Sequence, residues 1–294
     1  MGDPKNGSPM TRYEKPRTLE RALELASVGS WRVLAGGTDF YPAQGSKPLR
    51  DDVLDINGLE ELRGIAEDER GWRIGARTTW TDLIRTALPA AFDGLKAAAR
   101  EVGSVQIQNT GTVAGNLCNA SPAADGVPPL LTLDAEVELR SAGAMRVLPL
   151  GEFILGNRRT ALRPGELVTA ILVPRASSAG ASSFLKLGAR RYLVISIAMV
   201  AARVTVEAGR ISQVVIAVGA CSAVAQRLPE LERDLVGRDI DGVAAAVEPR
   251  HLEMLSPIDD VRGDAGYRRA AALELVGRAL SAACVAQRAG RVAA

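Results

Sequence analysis

The segment VLAGGTDFYP, residues 33–42, runs from an apolar strand into two adjacent glycines, a threonine and an aspartate. Because glycine has no Cβ, a ligand can approach the main chain closely there, and successive N–H groups can converge on an anion. The Thr38 hydroxyl would add a further donor. Glycines after a strand also form ordinary turns, so this segment taken alone favours a turn over a phosphate-binding loop.

A second glycine-rich segment supports the binding interpretation. Residues 103–133 read GSVQIQNTGTVAGNLCNASPAADGVPPLLTL, with little helical or strand periodicity. A structureless loop of this length inside a compact chain is usually functional or disordered. Its TGTVAGN turn supplies threonine hydroxyls and the Asn116 amide, and two such cradles suit a long diphosphate ligand. The chain lacks G-x-x-x-x-G-K-[ST] and lacks a helix-opening G-x-G-x-x-G, which disfavours P-loop and Rossmann sites.

The apolar spacing elsewhere alternates between strands and helices, which is typical of an α/β or α+β chain. It predicts an amphipathic helix over residues 17–28 with Thr18 as a cap, and strands at WRVLA and DVLDI. A further strand leads into a helix capped near Thr81. AEVELR and AMRVLPL alternate with a period of two and predict a hairpin, and ELVTAILVP predicts a strand ended by Pro174.

The small-residue segment RASSAGASS predicts a link between two domains. After it, ARVTVEAGRISQVVIAVGA predicts two strands joined by a tight turn, followed by mostly helical sequence. One face of the last helix should carry Tyr267, Ala271, Leu273, Val276, Leu280 and Cys284. We expect a disordered tail over residues 1–10, a first domain over residues 11–177 and a smaller α+β domain over residues 178–294.

Composition excludes several classes of site. The chain has 294 residues, 47% of them apolar, and a net charge of +2, so we expect a soluble protein without a nucleic-acid-binding face. Three dispersed cysteines without a C-x-x-C motif indicate a reducing, cytoplasmic compartment and no iron–sulfur cluster held by this chain alone.

The single histidine and the apolar runs exclude two further possibilities. His251 is the only histidine, so we expect neither a histidine-based metal site nor a Ser–His–Asp triad, and we expect His251 to be structural. The longest apolar run, from Tyr192, is about half the roughly 20 residues that span a bilayer. It predicts a core segment and no membrane span.

Five segments resemble, in order, the FAD-binding medium subunit of the xanthine dehydrogenase and carbon monoxide dehydrogenase group, the molybdenum hydroxylases. The segments are LAGGTD, VGSVQIQNTGTVAGNLCNASPAAD, LVTAILVP, FLKLGARR and PIDDVRGDAGYRRAAA. The resemblance extends from about Arg12 to the C-terminus. It implies an α+β fold with a two-part FAD-binding domain of the vanillyl-alcohol-oxidase (PCMH-like) type, divided into about 11–57 and 58–177. A smaller C-terminal domain, like that of the carbon monoxide dehydrogenase flavoprotein and built of an antiparallel sheet and helices, would follow.

The resemblance also implies which residues contact FAD. The first glycine loop would wrap the diphosphate and the second would complete the cradle, while Tyr192, near the isoalloxazine ring, either covers a flavin face or is a core residue. The implied cofactor-binding residues are Val33, Leu34, Ala35, Gly36, Gly37, Thr38, Asp39, Phe40, Val102, Gly111, Thr112, Val113, Ala114, Gly115, Asn116, Ser121, Asp125, Val168, Lys186 and Tyr192. No catalytic residue and no metal ligand are implied.

Two aspartates and an alanine bear on this expected site. Asp39 and Asp125 would repel a phosphate, so we expect them to contact hydroxyls, amides or a ring N–H. Ala114 stands where the family often has a glycine, and its methyl group restricts positive φ and close approach. Because Thr112, Gly115 and Asn116 are present, FAD is still expected to bind.

The resemblance implies an electron-transfer function, which accounts for the lack of an obvious substrate-activating acid, base or metal in the chain. Molybdopterin would be held by a large partner subunit and [2Fe-2S] clusters by a small one, in a dimer of heterotrimers. FAD on this chain would pass electrons to an external acceptor, which could be NAD, oxygen, a quinone or a carrier protein. The alternatives are a self-sufficient FAD-dependent oxidase, for which the residues after Ala179 look too few, and a partner-binding subunit with empty glycine loops.

Overall fold

The computed structural model describes residues 11–292, so the tail predicted at residues 1–10 lies outside it. The strands of this part of the chain are β1 (Tyr13–Glu14), β2 (Trp31–Leu34), β3 (Asp52–Asp55), β4 (Ile65–Asp68), β5 (Gly71–Gly75), β6 (Glu136–Arg140), β7 (Met145–Pro149), β8 (Ile154–Gly156), β9 (Arg159–Thr160), β10 (Leu167–Pro174), β11 (Ala181–Leu187), β12 (Ala198–Glu207), β13 (Arg210–Gly219) and β14 (Gln226–Arg227). The α-helices are α1 (Leu19–Ser27), α2 (Phe40–Gln44), α3 (Trp80–Arg85), α4 (Asp93–Glu101), α5 (Val105–Thr110), α6 (Val113–Asn119), α7 (Val127–Thr132), α8 (Leu150–Phe153), α9 (Pro229–Leu235) and α10 (Ala265–Val292).

The N-terminal layer is a parallel three-stranded sheet in the order β1-β3-β2. Helix α1 lies against it and buries the apolar face that the sequence predicts, with Leu19, Ala22 and Leu25 in one core with Leu54. The Thr18 side chain accepts a hydrogen bond from the Arg21 N–H, which confirms the predicted cap. The first glycine loop follows β2 at the edge of this sheet.

A five-stranded antiparallel sheet, in the order β4-β5-β10-β6-β7, forms the middle of the chain. The predicted hairpin is confirmed as β6 and β7, and the predicted strand ending at Pro174 is confirmed as β10. Its core includes the fully buried side chains of Trp80, Phe92, Leu117 and Phe153. Helix α6, which forms part of the second glycine segment, is anchored in this core by Leu117.

The last sheet is antiparallel, in the order β11-β12-β13-β14, and α10 packs against it. The predicted strand pair is confirmed as β12 and β13. Val276, Leu280 and Cys284 are buried as predicted, but Tyr267 is about half exposed, so its assignment to the buried face is wrong. Arg268 is buried in its place, where its guanidinium donates to the carbonyls of Ile197 and Ala220. Helix α10 is long and apolar enough, by length and composition, to cross a membrane, and one of its faces packs in the core of the last sheet.

Three local predictions are wrong. Residues 103–133 are not a structureless loop, because they form α5, α6 and α7. These helices are too short to show a periodic apolar pattern. Helix α7 accommodates Pro128 and Pro129 because both lie in its first turn. Helix α3 begins after Thr79, not Thr81, because Thr79 and Asp82 form a capping box. The start of the supposed core segment is exposed, with Tyr192 63% accessible, and the buried strand begins only at Ala198.

Candidate functional site

A cleft of about 610 Å³ lies where the first glycine loop meets α6 and the start of β10. This volume is within the range of ligand pockets in proteins. Most of the residues predicted to bind a dinucleotide line it. These residues are Val33, Ala35, Gly36, Gly37, Thr38, Asp39, Phe40, Val102, Gly111, Thr112, Ala114, Gly115, Asn116 and Val168.

The two glycine segments touch each other through their main chains. A Cβ atom built on Gly36 would lie 1.9 Å from the carbonyl oxygen of Thr110 and 2.9 Å from the Cα of Gly111. Position 36 therefore needs glycine for loop-to-loop packing, whatever binds in the cleft. Gly37 has a φ of 76°, a backbone conformation that glycine adopts without strain.

The first loop offers unpaired donors to the cleft. Among the described residues, no protein acceptor is recorded for the main-chain N–H groups of Gly36, Gly37, Thr38 and Asp39. The N–H groups of the second segment are used differently: that of Val113 donates to Thr78, and that of Gly115 donates to the Thr112 hydroxyl at 3.0 Å. Four consecutive unpaired N–H groups beside a cleft are available to bind an anion.

Asn116 contributes a buried acceptor to the same cleft. Within residues 11–292, its Oδ1 atom is inaccessible to solvent and has no hydrogen-bond partner. Leaving a buried acceptor unpaired costs about 1–3 kcal/mol. Oδ1 lies beside Gly126, where a built Cβ would be 3.0 Å away, so the amide must turn before a ligand donor can reach it and remove the cost. With that turn, the polar groups of the cleft fit a dinucleotide with amide and hydroxyl groups.

A hydrogen-bonded network holds the first glycine loop in place. The Asn57 side chain donates to the Ala35 carbonyl at 2.8 Å and to Asp55 Oδ1 at 2.7 Å. Asp55 is almost fully buried and also accepts from the Tyr13 hydroxyl. Burial acts to raise the pKa of Asp55, but the hydrogen bonds from Tyr13 and Asn57 and the charge of Lys15 outweigh it, so this pKa is lowered. The loop is thereby fixed to the end of β3.

The structure removes one of the two restrictions expected at Ala114, the one on backbone conformation, while the residue still lines the cleft. This residue lies inside α6, is not among the residues with positive φ, and is buried in the main core. A helical residue with its methyl group in the core needs no glycine conformation. The methyl group therefore does not restrict the local backbone.

Six predicted contacts lie outside the cleft lining. Leu34 and Val113 are buried, Ser121 caps the neighbouring N–H of Ala123, and Tyr192 is exposed. Asp125 and Lys186 form a buried ion pair of 2.6 Å, and the Ser196 hydroxyl donates to the second carboxylate oxygen at 2.7 Å. Burial raises the pKa of Asp125, and the charge of Lys186 opposes that rise.

Sequence reasoning missed several lining residues. They are Arg32, Ala43, Ile56, Ala76, Trp80, Gly103, Ile107, Cys118, Asn119, Arg158, Leu162, Glu166 and Leu167. Cys118 and Asn119 stand three and four positions after Gly115, so recognition of α6 would have placed all three on one helix face. Arg158 comes from the turn between β8 and β9. It belongs to neither glycine segment, so the sequence did not indicate that it lines the cleft.

An α+β chain in which two glycine segments meet beside a cleft, one of them with unpaired N–H groups, has the features of a dinucleotide-binding protein. Residues 9–176 match the FAD binding domain in molybdopterin dehydrogenase, and residues 183–283 match the CO dehydrogenase flavoprotein C-terminal domain. The chain belongs to the FAD-binding medium subunits of the xanthine dehydrogenase and carbon monoxide dehydrogenase family, the molybdenum hydroxylases. It is an oxidoreductase subunit with FAD as its cofactor, which confirms the predicted family, fold class and cofactor.

Individual relatives match over nearly their full length. The glyceraldehyde dehydrogenase medium chain of Sulfolobus acidocaldarius is 30% identical over 89% of this chain and 94% of its own. The carbon monoxide dehydrogenase medium chain of Hydrogenophaga pseudoflava is 29% identical over 94% of this chain and 97% of its own. A chain in the structure of reconstituted CO dehydrogenase from Oligotropha carboxidovorans superposes with a TM-score of 0.85 at 26% identity, covering 95% of this chain and 99% of that chain.

Proposed function

We propose that this chain is the electron-transfer subunit of a multi-subunit molybdenum hydroxylase. Electrons would arrive from [2Fe-2S] clusters on a small partner subunit, after substrate oxidation on a large molybdopterin subunit, and would leave to an external acceptor. FAD, when bound, supplies the exchange between single electrons and electron pairs. The relatives are named as medium chains or FAD subunits of such enzymes, which supports this role.

The chain's own residues bind and orient the cofactor. The N–H groups of Gly36 to Asp39 would donate to the diphosphate, with the Thr38 hydroxyl beside them. Thr38 lies next to Gly111, since a Cβ built on Gly111 would be 3.3 Å from the Thr38 hydroxyl. Asn116 would accept a hydrogen bond from the cofactor deeper in the cleft.

Asp125 and Lys186 remain part of the proposal as residues behind the cleft wall. Asp125 precedes Gly126, and a Cβ built on Gly126 would lie 2.5 Å from the Trp80 ring and 3.0 Å from Asn116 Oδ1. Asp125 is therefore adjacent in sequence to Gly126, whose close packing supports Asn116 and Trp80.

We place the domain boundary after residue 177, with subdomains of about 11–57 and 58–177. We also place the protein in the cytoplasm, as part of a dimer of heterotrimers.

One observation carries the proposal: four residues of the first loop with unpaired N–H groups line the same cleft as Asn116, whose Oδ1 is buried and unpaired among the described residues. The test is purification of the native protein with its partners, followed by a visible spectrum and a cofactor assay. We expect equimolar FAD and co-purifying polypeptides with iron–sulfur and molybdopterin signatures. A folded chain that takes up no FAD at saturation contradicts the proposal, and substrate turnover by the chain alone supports the self-sufficient oxidase instead.

A further inference from the structure

Arg158 lies in the turn between β8 and β9 with a φ of 54°, a left-handed conformation unusual for a long side chain. Its main-chain N–H donates to the Ala120 carbonyl at 3.0 Å, and its guanidinium Nη1 donates to Asn119 Oδ1 at 3.1 Å. The turn is thus held against the end of α6. At the wall of the cleft, the guanidinium is thus hydrogen-bonded to a neutral acceptor, the amide oxygen of Asn119.

The other charged side chains of the lining are Arg32, Asp39 and Glu166. Arg32 stacks on the Phe40 ring at 4.2 Å and has Asp51 at 3.4 Å. Glu166 receives two hydrogen bonds of 2.7 Å from the guanidinium of Arg146. These two groups already have charged partners.

Arg158 differs from Arg32 in this respect. In the part of the chain that the structure describes, Arg158 forms no ion pair. It is therefore the cation of the described lining that has no acidic partner. An arginine guanidinium is well suited to bind phosphate oxygens, often through two parallel hydrogen bonds.

The ionised part of oxidised FAD at neutral pH is its diphosphate, since both ring systems are uncharged. The first loop meets the chain at Thr110 and Gly111, just before α6, and Asn119 is at the other end of α6, about 9 Å along the helix axis from Val113. Both ends line one cleft, so a rotamer change that releases Asn119 turns the Arg158 guanidinium toward a diphosphate held between them. The free N–H groups of the first loop and an unpaired cation from another element would then act on one anion.

We propose that Arg158 is a diphosphate ligand of the bound cofactor and exchanges Asn119 for a phosphate oxygen when FAD binds. This inference rests on the proposed function, because it requires FAD in the cleft. The bound diphosphate would gain a charge-assisted partner that neither glycine segment provides. The strained backbone at residue 158 places this side chain at the cleft wall.

The test compares Arg158→Gln with Arg159→Gln, a matched control at the next position, the first residue of β9, which is exposed and does not line the cleft. Binding of FAD, ADP-ribose and riboflavin is measured by calorimetry on the apo-proteins, with circular dichroism and thermal melting as checks of folding. We expect Arg158→Gln to weaken FAD and ADP-ribose at least ten-fold and to leave riboflavin unchanged. Its FAD affinity should also depend less on salt.

Asn119→Ala provides a second variant, because it removes the resting partner of the guanidinium but keeps the charge. We expect this variant to bind FAD and ADP-ribose at least ten-fold more tightly than Arg158→Gln does, because the guanidinium charge is still present. Equal FAD and ADP-ribose binding by Arg158→Gln and wild type overturns the inference, as does an equal loss of riboflavin binding, while the proposed function stands. A folded wild-type protein that binds no FAD overturns the proposed function and this inference together.

Discussion

Lys186 Nζ lies 2.6 Å from Asp125 Oδ2, and both side chains are less than one-tenth exposed. Asp125 belongs to the segment that matches the FAD binding domain, and Lys186 lies on β11 in the segment that matches the C-terminal domain. One buried ion pair therefore joins the two parts of the chain. Removing one partner of such a pair leaves an uncompensated charge in a desolvated place.

Lys186→Met should lower the free energy of unfolding by about 3–5 kcal/mol, because Asp125 loses its cation. The double variant Asp125→Asn with Lys186→Met should recover most of that loss, since no charge stays buried. Urea denaturation measures both values. Lys47→Met, at an exposed lysine, is the control and should leave stability unchanged. A Lys186→Met protein as stable as the wild type would show that the pair contributes nothing.

Gly36→Ala should destabilise the protein by about 2–3 kcal/mol and reduce its FAD content, because the added methyl group overlaps the main chain of Thr110. Gly143→Ala is the matched control, since a Cβ at Gly143 meets nothing within 4 Å. Chemical denaturation and the ratio of flavin to protein absorbance give the two readouts. Wild-type stability for Gly36→Ala would contradict the close contact of the two loops.

Asp55→Asn should make stability less dependent on acid pH. The folded pKa of Asp55 is lowered from its ordinary value of 3.8, so its ionised form stabilises the native state above that pH. This contribution is lost as pH falls below 3.8 through the folded pKa. The melting temperature of the wild type should therefore fall more steeply than that of the variant between about pH 4.5 and pH 3.

The same variant should be less stable than the wild type at pH 7, where the carboxylate accepts from Tyr13 and Asn57. Loss of hydrogen bonds to a charged group costs about 1.5–3 kcal/mol. Parallel melting curves for the two proteins over the whole acid range would refute the assignment. Lys15→Ala, which removes the exposed cation and leaves the hydrogen bonds, should have the smaller effect.

Cys118 should be protected from alkylation by FAD. Its side chain is accessible through the open cleft, although the surrounding protein desolvates the thiol and raises its pKa to about 12. Alkylation will be slow for this reason, and mass spectrometry after incubation at pH 8.5 should detect it in the apo-protein. FAD at about 100-fold its Kd should suppress the modification almost completely.

Two buried thiols provide the internal control for that experiment. Cys221, with a pKa raised by burial to about 11, and Cys284 should stay unmodified with and without FAD. A Cys118→Ser protein should show no label at all. Equal labelling of Cys118 with and without saturating FAD would place the cofactor outside the cleft.

The sequence predicts long regular elements well. The strand that ends at Pro174 and the pair β12–β13 were identifiable because their apolar periodicity extends over many residues. Helices of six or seven residues, such as α5 and α6, have too few turns to show a pattern, and their Gly and Asn content suggests a loop. The buried face of α10 was wrongly assigned at Tyr267. An arginine is usually expected at the surface, but Arg268 is buried with its guanidinium hydrogen-bonded to Asp260.

The site was predictable where the backbone itself forms it. Fourteen of the predicted residues line the cleft. Thirteen of them belong to the two glycine segments, with Val102 counted in the second segment, and the fourteenth is Val168. Side chains that reach the cleft from elsewhere, such as Trp80 and Arg158, depend on tertiary packing that no local motif records. The need for glycine at position 36 was predicted, but its physical cause, the Thr110 carbonyl, is a contact between residues far apart in sequence.

The walls of the cleft are drawn from residues between Arg32 and Val168. During synthesis on the ribosome, the nascent chain cannot present a complete binding surface until Val168 has emerged from the exit tunnel. A growing chain that has not yet reached Val168 therefore lacks part of the cleft wall and presents an incomplete surface to the cofactor.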